Sequence, residues 1–581
     1  MNKKKIWKSA LVATIMLLFV ACGPKGSADA DETAPVIFNG QPSGSITTDK
    51  AVISVTTDED AVCKFSLNTA GVSYGKMAEV FTITGKRRHQ SEIANLKNGQ
   101  SYKIYVRCMD NSNNVNQDDY LISFTAQITN SNFNYILGDK LYPISQKPKP
   151  KKAQSFKDEN FGTTITRITD GEKDLPNGGI YPEYGTFRTV NRSGKLLLLI
   201  GSDGHYRIHS ANEPYETITT WNPDWSSNGG LGFEQPEYRW DYSGQHPNRL
   251  YWRSHKKLLY TDAESIPNGK ILKESNPINT LVHDFENDRE IIEAGTKLSD
   301  EIWNRAVIAN GDAGVPSADS RYWVFALYTA GGNGKTYYRI FVYDKSEDKV
   351  ISAKNVEGGY VNEVYMSPDG NYVYVGFNAK SPYNDSQSLG GGWIYKRDFS
   401  NWADPKFFMC SIPPHTNWVY DAQGFVGMIY QDNQTDYLTF KRALDGKEWK
   451  LRYALEGEGA DWGRGGKHFG AMPGPERKGW ALVTTYTVKH NDHKGWEDDA
   501  MYLIEIDENK TYEGKKPIVW RLATLNNDST VDYYRKHPNA SMNYSGTKVW
   551  FGSDWNTPGG KMDVYRIDLP ANWWNDLNAR K

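Results

Sequence analysis

A repeating unit of about 40 to 60 residues occupies the chain from Phe161 onward. Each unit contains an apolar stretch, a polar turn with a glycine, and a second apolar stretch, as in "NEVYMSPDGNYVYVGF" and "PNASMNYSGTKVWFGSDW". Seven such units can be counted, although the third is irregular. Units of this length, each supplying a small antiparallel sheet, are typical of β-propeller blades. We therefore predict an all-β chain with a seven-bladed β-propeller over residues 161–581.

The last unit ends after its third strand, at Leu569, and only a short polar and aromatic tail follows. A propeller blade with only three strands leaves an open sheet edge. The segment "TTITRITD", residues 163–170, precedes the first unit and has the pattern of a strand. We predict that it closes the ring by pairing with the last blade.

The first residues, 1–22, have the pattern of a lipoprotein signal peptide. Lysines precede an apolar run from Ala10 to Ala21 that is shorter than the ~20 residues of a membrane-spanning helix. The run ends in "FVAC", which resembles the lipobox of bacterial lipoproteins. The resemblance implies that Cys22 is lipidated and that the chain is exported and anchored to the bacterial outer membrane, facing the periplasm or the cell surface. An ordinary cleaved signal peptide is the alternative.

Residues 33–127 contain short alternating stretches separated by turn signals, such as "AVISVTTDED" and "SYKIYVRCMD". This pattern predicts a small β-sandwich. The stretch "LKNGQSYKIYVRCMD" resembles fibronectin type III and related immunoglobulin-like modules, with Leu96, Tyr102 and Val106 at the corner and core positions. Such a module is most often a spacer, and sugar binding is the alternative.

The chain has four cysteines. Cys22 is the candidate for lipidation, and Cys63 and Cys108 can pair in an oxidising compartment. Cys410 is then expected to be unpaired. There is no Cys-x-x-Cys spacing, which argues against a thiolate zinc site.

A linker is predicted at 128–160, between the sandwich and the propeller. It includes "SQKPKPKK", which is rich in proline and lysine. We expect this stretch to be unpacked.

The charge of the chain is nearly balanced, with a formal net charge of −2. Nucleic-acid binding requires a basic excess, so we expect no nucleic-acid partner. Aromatic residues make up 13% of the chain, a high share. Such rings usually pack between sheets, and they are also common on sugar-binding faces.

Histidines occupy one position of the repeat in three consecutive units. His415 and His537 each stand nine residues before the glycine of their turn, and His468 takes the same place in the sixth unit. The innermost strand of a blade begins near the propeller axis, so these imidazoles should converge on the mouth of the central channel. They are suitable ligands for a divalent metal, and we expect Mn²⁺, Zn²⁺ or Ca²⁺ and no organic cofactor. The alternative is a set of hydrogen-bonded structural histidines.

Further polar residues belong to the same part of the repeat. Asn417, Asn539 and Glu237 stand seven residues before their turn glycines and are predicted to support the site and bind substrate. Arg239 and Arg464 flank strand starts, where a guanidinium can hold the carboxylate of a uronate in bidentate fashion. Solvated surface arginines are the alternative.

Loops between the second and third strands of each blade reach the same face of a propeller. These loops contain His205, His255 and Trp555. We predict His205, His255 and Arg464 as catalytic residues and Trp555 as a substrate-binding residue.

The "ITRITD" opening, the blades that begin with histidine and "HPNASMNYSGTKVWFGSDW" resemble oligogalacturonate lyases and the wider TolB-like propellers. The plan of a sandwich followed by a propeller is similar to that of ulvan lyases. In the oligogalacturonate lyases three histidines and a glutamine hold the metal, whereas the close Gln-x-x-His-x-His cluster is absent from this sequence. The resemblance implies a polysaccharide lyase that cleaves an acidic, uronate-containing glycan by β-elimination.

Two other kinds of function use the same face. A propeller glycoside hydrolase or a sugar dehydratase is one, and a hydrolase would use two carboxylates, for which Glu237 and Glu363 are the repeat-aligned pair. A non-catalytic surface lipoprotein that binds glycan or protein is the other. In every case the lipid anchor is the only expected contact with a membrane.

Overall fold

The structure is a computed structural model of the full chain. Its description covers residues 31–46, 48, 50–94, 96–97, 100–126, 133–143, 147–175, 178–223, 237–310, 314–331, 334–357, 360–378, 390–402, 404–411, 414–432, 434–453, 466–486, 495–527, 537–557 and 560–580. The chain divides into two compact units, Met1–Ile128 and Thr129–Lys581. Within the described residues, no helix is long and apolar enough to cross a membrane.

The first unit contains two antiparallel-rich sheets with an apolar core between them. The first sheet has the order β1 (Ile37–Gln41), β3 (Ala51–Thr57), β6 (Arg88–Ile93). The second has the order β2 (Gly44–Ile46), β8 (Tyr120–Ala126), β7 (Ser101–Asp110), β4 (Ala61–Leu67), β5 (Glu79–Val80). Alternate residues of β7 are buried, and the Tyr102 hydroxyl accepts a hydrogen bond from the Lys97 N–H at 2.8 Å. This is the β-sandwich expected from the alternating pattern.

Cys63 and Cys108 form a disulfide. They lie directly opposite each other on β4 and β7, which are neighbours in the same sheet. The bond therefore reinforces one sheet and does not join the two sheets of the sandwich. Cys410 is a buried free cysteine.

The second unit contains seven sheets, one for each predicted blade. Blade 1 has β11 (Ile180–Pro182), β12 (Leu196–Gly201), β13 (Tyr206–Ser210), β14 (Thr217–Pro223) and, parallel to β14, β18 (Lys270–Leu272). Blade 2 has β15 (Arg239–Trp240), β16 (Arg249–Ser254), β17 (Lys257–Asp262) and β19 (Thr280–Asp284). Blade 3 has β20 (Val307–Ala309), β21 (Tyr322–Gly331), β22 (Gly334–Asp344) and β23 (Lys349–Asn355).

The remaining blades follow the same order of strands. Blade 4 has β24 (Val361–Met366), β25 (Tyr372–Phe377), β26 (Gly391–Lys396) and β27 (Phe408–Cys410). Blade 5 has β28 (Thr416–Tyr420), β29 (Val426–Gln431), β30 (Tyr437–Arg442) and β31 (Glu448–Tyr453). Blade 6 has β32 (Lys467–Gly470), β33 (Trp480–Thr485), β34 (Ala500–Glu505) and β35 (Val519–Thr524). Blade 7 has β36 (Ser541–Met542), β37 (Lys548–Ser553), β38 (Asp563–Asp568), β10 (Thr164–Arg167) and β9 (Ser155–Lys157).

Short helices lie outside the blades: α1 (Gly171–Asp174), α2 (Arg289–Ile292), α3 (Asp300–Arg305) and α4 (Trp573–Asn578). Short 3₁₀ turns lie at Tyr74–Lys76, Ala263–Ser265, Phe285–Asp288, Pro405–Phe407 and Pro475–Arg477. Among the described residues, five sheets of the propeller have four strands and two have five, and the faces of these sheets pack on one another.

The ring closes where the sequence predicted. Strand β10 pairs with β38 in antiparallel register, with Ile165 opposite Ile567, which confirms residues 163–170 as the source of the closing strand. Just beyond this pairing, the fully buried carboxylate of Asp563 lies 2.6 Å from Lys149 Nζ and 2.9 Å from Arg167 Nη2. A buried charge is stable only when paired, so these contacts fix the two ends of the ring together.

Residues of the predicted linker pack against the propeller instead of remaining unpacked. Leu137 pairs with Trp520 on the outer edge of blade 6, and the buried Tyr135 ring lies 5.1 Å from the Trp520 ring. Strand β9 extends blade 7, and Lys149 reaches Asp563. The expectation for this stretch was wrong because its lysines are paired or bonded at the ring closure and its aromatic residues add to the core.

The aromatic residues of the propeller are largely structural. The tryptophans among the largest fully buried side chains are Trp221, Trp240, Trp252, Trp480, Trp520, Trp550 and Trp573. Rings of this size bury 150–250 Å² each and dominate the energetics of a core. High aromatic content therefore reflects packing between blades more than a sugar-binding face.

Candidate functional site

Three predicted site residues meet at one mouth of the propeller channel. His415 directly precedes β28, His468 lies in β32, and His537 precedes β36. His468 Nε2 lies 2.8 Å from His537 Nδ1, and the His415 and His468 rings are stacked with centroids 4.5 Å apart. The repeated position at the start of three inner strands brings these imidazoles together.

Two tyrosines complete this group. The Tyr486 hydroxyl lies 2.9 Å from His415 Nδ1, and the Tyr486 ring stacks on His468 and His537 at 4.4 and 4.2 Å. The Tyr184 hydroxyl lies 3.2 Å from His468 Nδ1. We call Tyr184, His415, His468, Tyr486 and His537 the histidine–tyrosine cluster.

Glycines allow this close approach of the inner strands. A Cβ on Gly466 would lie 2.4 Å from the Tyr486 ring, so a side chain there would displace the tyrosine. A Cβ on Gly185 would lie 3.2 Å from the backbone oxygen of Ala540, which leaves little room between blades 1 and 7. Glycine is therefore needed at both positions for the cluster to pack as it does.

Burial controls the protonation of the cluster. It lowers the pKa of His415 to about 4 and the pKa of His537 to about 3, with the neighbouring His415 adding to the second effect. The pKa of His468, which is 1% exposed, lies well below its ordinary value because of burial and then of the other two histidines. All three rings are therefore neutral near pH 7, when each has one N–H donor and one acceptor nitrogen.

Because the rings are neutral, Tyr184, His468 and His537 can form a chain of two hydrogen bonds. In one direction the Tyr184 hydroxyl donates to His468 Nδ1, and His468 Nε2 donates to His537 Nδ1. In the other direction, His537 Nδ1 donates to His468 Nε2, and His468 Nδ1 donates to the Tyr184 hydroxyl. His415 Nδ1 lies near both the Tyr486 hydroxyl and the Lys467 carbonyl oxygen, at 2.9 and 3.2 Å. Tyr486 and His415 are only partly buried, whereas His468 and His537 are buried. The Tyr486–His415 pair is thus the part of the cluster that is accessible to solvent.

The cluster differs in geometry from a metal centre. The 2.8 Å between His468 Nε2 and His537 Nδ1 is a hydrogen-bond distance, whereas two nitrogens on one tetrahedral Zn²⁺ lie ~3.4 Å apart. Within the described residues, the sets of potential ligand atoms that lie within 4.8 Å of one another are Cys63–His89–Cys108 and Asp31–Glu59–Asp110. As placed, the three histidines do not fit a metal ion unless a ring turns, and the expected Mn²⁺, Zn²⁺ or Ca²⁺ stays a prediction.

Two predicted substrate-binding residues, Glu237 and Arg239, are occupied by structural contacts. Glu237 accepts from Arg253 Nε at 2.8 Å and from the Asn310 N–H at 3.1 Å. Arg239 is 3% exposed and donates to the carbonyl oxygens of Gly314 and Tyr238, with its guanidinium over the Phe187 ring. These side chains connect neighbouring parts of the propeller and do not face a ligand at the mouth.

Asn417 and Asn539 are both buried. Asn417 donates from Nδ2 to the Phe469 carbonyl oxygen at 3.1 Å, which links blades 5 and 6. Asn539 lies two residues after His537, and its Oδ1 has no hydrogen-bond partner within the described part of the chain. Of these two amides, Asn539 therefore keeps an acceptor oxygen without a partner among the described residues.

Trp555 is buried and cannot offer a face to a sugar. Its indole N–H donates to the Lys147 carbonyl oxygen at 3.0 Å, and its ring stacks on Tyr565 at 4.9 Å. The prediction of a substrate-binding role for Trp555 was wrong, because residues of the predicted linker cover this side chain.

His205 and His255 lie in the loops expected to reach the mouth face, and their contacts are with acidic neighbours. His205 Nδ1 lies 2.8 Å from Asp203 Oδ2, and His255 Nδ1 lies 3.4 Å from Glu274 Oε2. The structure gives neither a contact with the histidine–tyrosine cluster among its described residues. Arg464 and Cys22 lie outside the described residues.

Tyr184 and Tyr486 were not among the predicted site residues. Tyr486 directly follows β33, so it begins a loop between second and third strands, the same position from which histidines were selected. Its place in the repeat was a usable signal, which we passed over because aromatic residues usually pack in the core. Tyr184 follows β11 in a unit that has no histidine at the start of its inner strand, and the sequence gives no comparable signal for it.

The two carboxylates expected of a hydrolase each lie against other side chains of the propeller. Glu237 is paired with Arg253, which is 1% exposed. Glu363 is buried beside Tyr365 and Tyr374, whose pKa values it helps to raise after the larger effect of burial. Neither carboxylate is a member of the cluster at the channel mouth.

Matches to known proteins occur among solved structures. No family model matches the chain, and no curated protein matches it. Among solved structures, "Structure of Dos1 propeller" is similar with a TM-score of 0.34 and 10% identity, covering 67% of this chain and 82% of the other. "Structure of U3-55K" is similar with a TM-score of 0.35 and 9% identity, covering 70% and 98%. The seven sheets described above identify the second unit as a β-propeller.

Proposed function

We propose that this protein is an exported polysaccharide lyase that cleaves a uronate-containing glycan by β-elimination at the histidine–tyrosine cluster. The observation that carries the proposal is the contact of the Tyr486 hydroxyl with His415 Nδ1, at 2.9 Å, in a group of neutral imidazoles at the channel mouth. Hydroxyl and imidazole groups in direct contact are suitable for general acid–base catalysis near neutral pH.

β-Elimination requires a base, an acid and a group that stabilises the substrate carboxylate. The base removes the proton at C5, the C5–H electron pair forms the C4–C5 double bond, and the C4–O bond breaks. The acid protonates the leaving oxygen. We assign these two proton transfers to the partly buried Tyr486–His415 pair, with His468 and His537 holding the rings in place through their own hydrogen bond.

Charge at the substrate carboxylate is the remaining requirement, because the C5 proton becomes acidic only when that carboxylate is neutralised. We propose Arg464 for this role, since it precedes Gly466 by two residues and Gly466 packs against the Tyr486 ring. A divalent ion is the other candidate, and metal removal by a chelator followed by an activity measurement separates the two.

The test is a screen of acidic polysaccharides for the far-ultraviolet absorbance of an unsaturated uronate. We expect activity on one of them, and we expect Tyr486→Phe to lower kcat more than tenfold because it removes one hydroxyl and keeps the ring stacking. Tyr372→Phe, which changes a partly buried tyrosine at the opposite end of a blade, is the matched control and should keep full activity. Equal loss in both variants, or none in either, contradicts the assignment.

A second candidate function is non-catalytic binding of glycan or protein by a surface lipoprotein. Burial of His468 favours it, because this ring is 1% exposed and both its nitrogens contact protein groups. A glycan that binds without forming any unsaturated product would support this function over the lyase.

A further inference from the structure

A carboxylate lies at each ring nitrogen of His283, which is in β19, the outermost strand of blade 2. His283 Nε2 lies 2.5 Å from Asp288 Oδ2, and His283 Nδ1 lies 2.7 Å from Asp348 Oδ1. Asp288 ends the 3₁₀ turn that follows β19, whereas Asp348 lies in the turn between β22 and β23 of blade 3. The ring therefore links the outer edges of two neighbouring blades.

The protonation of this ring decides how many of the two contacts can be hydrogen bonds. An ionised carboxylate only accepts, so each contact requires an N–H group on the ring. A neutral imidazole has one N–H group and an imidazolium has two. The protonated ring can therefore satisfy Asp288 and Asp348 together, whereas the neutral ring must face one of them with a lone pair.

Other side chains of the group fix the ring and keep one of the carboxyl groups ionised. The Tyr343 hydroxyl donates to Asp348 Oδ1 at 2.7 Å. This hydrogen bond is the largest cause of a lowered pKa at Asp348, and the contact with His283 adds to it. The rings of Phe285 and Tyr343 each pack against the His283 ring with centroids 4.7 Å apart. The imidazole is thus held in the orientation that directs its two nitrogens at the two carboxylates.

The basic side chains around this group are occupied by other partners. They are Lys256 with Glu286 and Lys257 with Glu274 at β17, Arg289 with Glu293 on α2, and Arg321 with Asp344, Lys345 with Tyr251 and Lys349 with Glu347 in blade 3. The remaining acidic neighbour on β19, Asp284, accepts from the Glu286 N–H. In the described part of the chain, neither Asp288 nor Asp348 forms an ion pair with a residue other than His283. A proton on His283 is therefore the positive charge available to both.

We infer that His283 is a pH-sensitive link between blades 2 and 3, which holds both carboxylates when its ring is protonated and only one of them when the ring is neutral. The link is present at low pH and is lost as the pH rises, because the folded chain then has to give up a proton that both carboxylates hold. This effect is opposite in sign to that of the buried histidines at the channel mouth. The inference does not depend on the proposed lyase reaction.

The test is urea denaturation of the full chain and of His283→Gln at about pH 5.5 and about pH 8.5, on either side of the pH at which an ordinary histidine titrates. Glutamine keeps a polar side chain and has no charge at either pH. We expect the equilibrium constant for unfolding of His283→Gln to exceed that of the unmodified protein about fivefold at the lower pH and less than about twofold at the higher pH. The other histidines are the same in both proteins, so their titration cancels in this ratio.

His205→Gln is the matched control. His205 has a carboxylate at one nitrogen, 2.8 Å from Asp203, and a neutral ring with a single N–H group satisfies it. The ratio for this variant should therefore change less than about twofold between the two pH values.

Hydrogen exchange locates the effect within the propeller. After correction for the intrinsic pH dependence of exchange, the unmodified protein should lose protection in β19 and in the β22–β23 hairpin as the pH rises, and His283→Gln should be unprotected there at both values. A ratio for His283→Gln that is the same at both pH values, an equal change in the His205→Gln control, or protection in these strands that does not depend on His283 would each overturn the inference.

Discussion

At the scale of single residues, His468 connects the candidate site to the interior of the propeller. Its two nitrogens contact Tyr184 and His537, and its ring stacks on those of His415 and Tyr486. Because His468 and His537 are buried, their replacement should affect the stability of the fold as well as the site.

We predict that His468→Ala lowers the free energy of unfolding of the propeller by about 2–4 kcal/mol, because it removes a packed ring and leaves buried polar partners unsatisfied. His246→Ala is the control, since His246 is exposed in a turn at the opposite end of blade 2, and it should stay within about 0.5 kcal/mol. Urea denaturation followed by tryptophan fluorescence measures both. A His468→Ala protein as stable as the control would show that the cluster has no structural role.

For single residues, the sequence predicted the position in the repeat better than it predicted which side chains are in contact. The three histidines could be found because a fixed distance from the turn glycine specifies the start of an inner strand. Trp555 was misjudged because the residues that cover it, around Lys147, are remote in sequence. Tyr184 could not be found, because its approach to His468 depends on the narrow space at Gly185 between blades.

At the scale of elements, the pairing of β10 with β38 closes the ring of blades. Strand β10 comes from the start of the propeller and β38 from its end, so this one pairing joins positions about 400 residues apart. The closing strand was predictable because the last unit lacked a fourth strand. The additional strand β9 and the contacts of Lys149 could not be predicted from the sequence, because proline and lysine are usually exposed.

We predict that Asp563→Asn lowers the free energy of unfolding by about 3–5 kcal/mol, because it leaves Lys149 and Arg167 beside a buried neutral side chain. Asp568→Asn on the same strand is the control, since Asp568 is one third exposed and pairs with Arg566 near the surface. That change should cost no more than about 1 kcal/mol. Chemical denaturation of both variants measures these free energies of unfolding. Similar small decreases in the two variants would mean that the contacts of Asp563 at the ring closure do not limit stability.

At the scale of the whole molecule, the buried histidines make the propeller sensitive to acid. The pKa values of His209 and His415 are about 4 and that of His537 is about 3, all lowered chiefly by burial. An unfolded chain takes up protons on these groups near their ordinary pKa of 6.5, whereas the folded chain does so only below about 4. Between these values the unfolded state binds more protons, so stability is present above pH 6.5 and is lost as the pH falls.

We predict that the free energy of unfolding of the propeller decreases between about pH 6.5 and pH 4, by about 1.4 kcal/mol per pH unit for each such histidine. His415→Gln removes one titrating group and keeps a polar side chain near Tyr486. Its free energy of unfolding should therefore change less steeply with pH, by the equivalent of about one proton. Urea titrations at several pH values measure both slopes. A slope identical in the two proteins would mean that His415 does not titrate with unfolding.

β-Elimination at the channel mouth can be tested by mass spectrometry of the oligosaccharides formed from an acidic polysaccharide in ¹⁸O-labelled water. A lyase breaks the C4–O bond without adding water, so each new non-reducing end should be unsaturated, lighter by one water than a hydrolysis product, and free of label at the cleaved bond. The Tyr486→Phe protein should give the same products at less than a tenth of the rate. Saturated products with ¹⁸O incorporated at cleavage, or no cleavage of any acidic glycan, would contradict the account.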